Sequence, residues 1–259
     1  ESFAGKMDQI MEAISEKTPN ISIVNSLLPL IKEKIFALKF KEAHNSLSAI
    51  RQELMKCRVV DYSTLSKVEY LRGTCSRFTN CDQAIQEYDS AYDAMMRTGQ
   101  YDEDVICGKI ISALMSQSLQ KARQLSEELE QRFPGNVWYH AVQILCAEKP
   151  LSVINKLSGE QRDNVIANLL LTRTKIALED IYNLNDYKYT IPQNLSLDNL
   201  PLWILYINLS LAKFFQNDRY NLFVIQQASS NVRELYEITG RYLELQKNTE
   251  IEGLLPDVA

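Results

Sequence analysis

Three segments of the chain carry the same kind of triplet at the same spacing, and this recurrence limits the fold more than any other feature. The triplets are Ala43/Leu47/Ile50, Ala84/Tyr88/Ala91 and Ala122/Ser126/Leu129. Steps of four and then three residues put each triplet on one face of a helix. The leading Ala recurs after 41 and then 38 residues. A period in this range marks stacked helical hairpins, none of which buries its apolar face alone. The small leading residue lets a partner helix approach, and the larger ones fill the groove beside it. Gly73 and Gly108, each on the helix before a triplet, offer a second small surface for the same close approach.

Apolar spacing is helical almost throughout. It predicts helices over 7–14, 23–38, 41–57, 65–78, 82–98, 102–116, 119–133, 137–147, 151–157, 162–184, 201–215 and 220–247. Asp61, Tyr62 and Ser63 form a turn able to cap the helix that follows, and Pro134-Gly135-Asn136 is the clearest stop signal. The 259 residues contain 8 Gly and 7 Pro, a scarcity that favours long helices joined by short links. No segment alternates as a strand does.

Leu71-Arg72-Gly73 followed by Ala84, Tyr88 and Ala91 resembles the tetratricopeptide repeat. That family places small and aromatic residues on its first helix, Ala-x3-aromatic-x2-Ala on its second, and Pro after it. Gly108, Ala122, Leu129 and Pro134 form the next best match, and Ala43, Leu47 and Ile50 match the second-helix half. Ser126 stands where the family has an aromatic. The resemblance spans about residues 38–136, and none is found after about Pro150. It implies an all-α fold, a right-handed helical-hairpin solenoid of about six helix pairs. Residues 1–150 would form the repeats, and 151–259 would form divergent pairs that continue the array and cap it.

In such a fold the first helix of each pair lines a concave surface. The resemblance then places groove residues at Lys67, Tyr70, Thr74 and Arg77, and at Asp102, Val105, Lys109 and Ser112, with Trp138 as the candidate of the third unit. Tyr70 and Trp138 are equally readable as core. Three Tyr in one loop-like stretch, Tyr182, Tyr187 and Tyr189, read either as an interface or as packing. The stripe Val232, Leu235, Tyr236, Thr239, Tyr242 and Leu243 is wide enough to cap an open array. Docking of a second copy, giving a homodimer through the C-terminal helix, is the alternative.

Catalytic and metal-binding signals are missing from the sequence. His44 and His140 are the only histidines, and no HExxH or paired CxxC accompanies them. Neither a phosphate loop nor a nucleophile elbow occurs. The carboxylates of Asp102/Asp104 and Glu127/Glu128 read as helix-end and surface charge. No cofactor is expected. A net charge of -5 argues against broad binding to phosphate backbones. No apolar run is long enough for a membrane span. The odd count of 5 Cys without CxxC spacing reads as reduced thiols of a cytoplasmic protein.

These observations favour a non-catalytic protein- or peptide-binding scaffold. A second reading makes the chain the sensor or regulatory arm of a longer signalling or defence protein, linked to an ATPase or nuclease; its start at Glu1 rather than Met motivates this. A third is a helical small-molecule receptor or enzyme with a pocket between its halves and a lid at 183–199.

Overall fold

Helix boundaries fall where short polar side chains take over backbone N–H groups that a helix leaves unpaired. The computed structural model describes residues 5, 21–36, 39–77, 80–170, 196–202 and 204. Asp61 caps α3 (Tyr62–Arg77), its carboxylate accepting from the Thr64 N–H at 3.0 Å. Asn80 does the same for α4 (Cys81–Thr98) through the Gln83 N–H, and Asp102 for α5 (Glu103–Met115) through the Val105 N–H. Asn136 caps α7 (Val137–Cys146) after Pro134 and Gly135 have ended α6 (Leu119–Arg132). Gly99 closes α4 at φ +67°, a left-handed conformation that suits a residue without Cβ. Before these lie α1 (Ile21–Phe36) and α2 (Phe40–Lys56); after them come α8 (Pro150–Ile154), with Pro150 in its first turn, and α9 (Gly159–Leu170).

Among the described residues the chain is all-helical, with no strand. It divides into two compact units, Glu1–Leu125 and Ser126–Ala259. In the first unit each of α2 to α5 packs on the helix before it, and α1 also touches α3 as α3 touches α5. Such next-but-one contacts arise when hairpins stack side by side. In the second unit α7 packs against α8 and α9. The helices expected at 7–14 and 220–247, and most of those expected at 162–184 and 201–215, lie outside the described residues, as do Tyr182, Tyr187, Tyr189, Tyr236 and Tyr242.

All nine triplet positions are buried, each at 1% exposure or less. On α2 the stripe is Phe40, Ala43, Leu47, Ile50 and Leu54. The middle helices α3 and α5 are different, because they are buried around most of their circumference. Polar residues are drawn in with them, including Thr74 and Arg77 on α3 and Lys109 and Ser112 on α5.

Tyr88 on α4 joins α3 to α5. A Cβ added to Gly73 would lie 2.7 Å from its ring, and one added to Gly108 would lie 2.5 Å from it. Both glycines are therefore bare backbone surfaces against which one aromatic ring packs. Tyr70 lies tilted on that ring with centroids 5.8 Å apart, and the Tyr88 hydroxyl is 3.1 Å from Thr74 Oγ1. Burial pushes the Tyr88 phenol up to about 12, against the lowering effect of Arg77 and of the Thr74 hydrogen bond. The group is thus neutral at any physiological pH.

Replacing Gly by Ala inside a helix ordinarily gains about 1 kcal/mol from propensity. Overpacking a rigid contact costs about 1–3 kcal/mol. Steric overlap should win here, because the obstructing atoms are a buried ring and not the free end of a side chain. Gly73→Ala and Gly108→Ala should each lower the urea midpoint, and on a Tyr88→Leu background the same changes should be neutral or stabilising. A stabilised Gly108→Ala single variant would mean that the ring yields.

Candidate functional site

A cleft of about 350 Å³ opens on the first unit, lined by every second helix. From α1 come Asn25, Leu28, Pro29 and Lys32, spaced i, i+3, i+4, i+7, so one face of that helix is turned to it. Lys67, Tyr70 and Leu71 come from α3, while Asp104 and Val105 come from the start of α5, with its cap Asp102 beside them. Leu28, Tyr70, Leu71 and Val105 are buried and supply apolar surface, whereas Asn25, Pro29 and Lys67 are exposed. Lys32, Asp102 and Asp104 are half-buried.

Four of the groove residues expected from the sequence, Lys67, Tyr70, Asp102 and Val105, thus meet in one place. The others lie elsewhere. Thr74 is buried, its hydroxyl donating to the Tyr70 carbonyl at 3.0 Å. Arg77 is buried too, and burial pulls its guanidinium below the usual range. Lys109 is turned toward α4: its Nζ donates to Asp89 Oδ1 at 2.6 Å and sits 5.5 Å from the centroid of the Tyr92 ring. Ser112 donates to the same carboxylate oxygen at 2.7 Å. Trp138, at 2% exposure, belongs to the second unit.

Asn25, Pro29, Lys32 and Asp104 were not foreseen as cleft residues. Asn25, Pro29 and Lys32 lie on α1, which carries no repeat signature, so only its apolar stripe was legible. Pro29 was the available signal. Inside a helix it has no N–H to offer the carbonyl four residues earlier, that of Asn25. A turn short of one internal hydrogen bond therefore borders the cleft.

A second polar cluster ties α2, α3 and α4 together. Arg72 Nε donates to Ser48 Oγ at 3.2 Å, Ser48 lies 3.4 Å from His44 Nδ1, and His44 Nε2 lies 2.7 Å from Glu87 Oε1. Ser76 donates to the other Glu87 oxygen at 3.0 Å. Glu69 is held by Arg72 at 2.8 Å and by Arg51. Glu69 and Glu87 are only 2% and 4% exposed, so these partners are what permit their burial. Hydroxyl, imidazole and carboxylate follow one another in the order of a nucleophile relay. Acyl transfer also needs N–H donors around an oxyanion, and the backbone N–H groups near Ser48 lie within the helical run of α2. The cluster is best described as a clamp between helices.

Among the described residues no group of three or more His, Cys, Asp or Glu side chains is placed to hold a metal ion. Burial, with Glu87 nearby, drives the Cys75 thiol far above its ordinary range, which leaves it unreactive.

Burial alone would raise the Glu87 pKa. The hydrogen bond and charge of His44, with Arg72 and Ser76, outweigh it and hold the carboxyl below its ordinary 4.5. A carboxylate with a depressed folded pKa contributes stability that is complete above the unfolded value and lost as pH falls through the folded one. Glu87→Gln should therefore be less stable by about 1–3 kcal/mol near neutral pH. Urea unfolding at several pH values should show the gap between wild type and variant closing below about pH 4.5. A gap that is constant down to about pH 3 would show that the carboxylate charge contributes nothing.

No protein-family model, curated protein or solved structure matches this chain.

Proposed function

We propose that the chain is a non-catalytic scaffold that holds a protein or peptide segment on the concave face of a right-handed, tetratricopeptide-like solenoid. The observation that carries this reading is the cleft built from α1, α3 and α5. In an array of helical hairpins the alternate helices form one wall, and it is on that wall that apolar floor and charged rim occur together. The next-but-one contacts of these helices support the same arrangement. A partner segment would bury Leu28, Tyr70 and Leu71 further and meet the charges of Lys32, Lys67, Asp102 and Asp104. Apolar anchors ringed by polar groups are the usual composition of protein recognition sites. The scaffold would require no cofactor.

Asn25 is exposed at the edge of the cleft, so Asn25→Trp fills the opening without entering the core. Gln52, exposed on α2, provides a control of equal bulk as Gln52→Trp. Proteins cross-linked to the wild-type chain in a cell extract should be retained by Gln52→Trp and lost, by about tenfold or more, from Asn25→Trp. Equal recovery with both variants would rule the cleft out as the binding surface.

A further inference from the structure

The charges around the cleft are divided by helix, and the division specifies an occupant. Cations stand on α1 and α3, as Lys32 and Lys67. Anions stand at the start of α5, as Asp102 and Asp104. Neither Lys32 nor Lys67 makes an ion pair among the described residues. Lys34 pairs with Glu42 and Lys56 with Glu53, whereas Lys39, Lys41, Lys121, Lys149 and Lys156 share with the two cleft lysines the lack of an ion pair among the described residues, so it is their place on the cleft that sets Lys32 and Lys67 apart. The apolar floor of Leu28, Tyr70, Leu71 and Val105 runs from the cationic side to the anionic side.

We propose that the cleft takes an extended peptide segment of dipolar sequence, with an acidic side chain over Lys32 and Lys67, one apolar anchor on the floor, and a basic side chain beside Asp102 and Asp104. This inference rests on the scaffold reading above and names the ligand chemistry of the same cleft. Neighbouring packed helices lie about 8–10 Å apart. Extended chain advances about 3.3 Å per residue. The acid and the base are therefore about three to six residues apart, the shorter spacing applying where Lys32 and Lys67 reach inward. A volume of about 350 Å³ accommodates one apolar side chain and the backbone around it. A free amino acid carries both charges as well, but it has no chain to span from α1 to α5.

The test uses blocked, fluorescein-labelled nonapeptides read by fluorescence anisotropy. One set carries Glu, Leu and Lys at spacings of about three to six residues. Comparison sets carry only acids, only bases, or no apolar residue, and free leucine and lysine serve as competitors. The dipolar set should contain members that bind at least about tenfold tighter than every comparison set. That advantage should shrink at high salt, where exposed charges are screened. The double variant Lys32→Glu/Lys67→Glu should lose the dipolar peptides by about tenfold or more and gain affinity for the all-basic set. Both lysines lie on the cleft and outside the ion-pair clusters, and circular dichroism checks that the fold is kept. If Asn25→Trp abolishes peptide binding but the charge reversal leaves set preferences unchanged, the cleft binds peptides and the dipolar assignment is overturned. Should neither variant alter binding, both the assignment and the scaffold reading fail at this cleft. Competition by free amino acids would overturn the peptide in favour of a small ligand, and no binding by any dipolar member at millimolar concentration would overturn it outright.

Discussion

The contact between the Tyr88 ring and the bare backbones at Gly73 and Gly108 sets the spacing of α3, α4 and α5. One side chain fills what would otherwise be two gaps, on either side of the same helix. Because the ring is fully buried and its hydroxyl is matched by Thr74, it has one position to occupy. The neighbouring helices settle around it. Tyr70 rests on this ring with one surface and borders the cleft with another. Placement of the cleft floor therefore follows from packing at the centre of the unit.

Polar groups reinforce that packing in a specific way. Glu69 and Glu87 would be expensive to bury alone, and Arg51 and His44 from α2, with Arg72 and Ser76 from α3, approach them. Sliding any one helix by a turn would leave a carboxylate without its partner. Apolar stripes alone tolerate such a shift far better, since one leucine substitutes for another. The seam thus selects one alignment of α2, α3 and α4, while the Tyr88 contact selects the separation of α3, α4 and α5. Lys109 and Ser112 on Asp89 play the corresponding part between α4 and α5.

Helix positions were legible because burial on one face writes a period into the sequence. The Ala84/Tyr88/Ala91 triplet and the two glycines were legible for the same reason: they are the points of closest approach. The turn that caps α3 at Asp61 and the stop at Pro134-Gly135-Asn136 could be read from short runs of residues, whereas the cap that Asn136 supplies to α7 was not. Which polar residues face outward could not. Thr74, Arg77 and Lys109 looked like surface groups because their side chains are polar, yet α3 and α5 are enclosed on nearly all sides. Their partners Tyr88, Asp89 and Tyr92 lie 11 to 20 residues away on another helix, a distance over which periodicity carries no information. Lys32 was hidden for the opposite reason. It lies on a helix without a repeat signature, and only the fold brings it beside Lys67.

The two glycines and the tyrosine also bear on how such an array changes length. Gly73 and Gly108 belong to successive helical hairpins, yet they serve a single ring carried on the helix between them. A duplicated hairpin that carried the ring without a glycine on the next helix would clash. One that carried the glycine without the ring would leave a void. Adding or removing a hairpin is therefore compatible with this packing only when the break keeps all three positions together, a boundary staggered by half a hairpin from the one that the loops suggest.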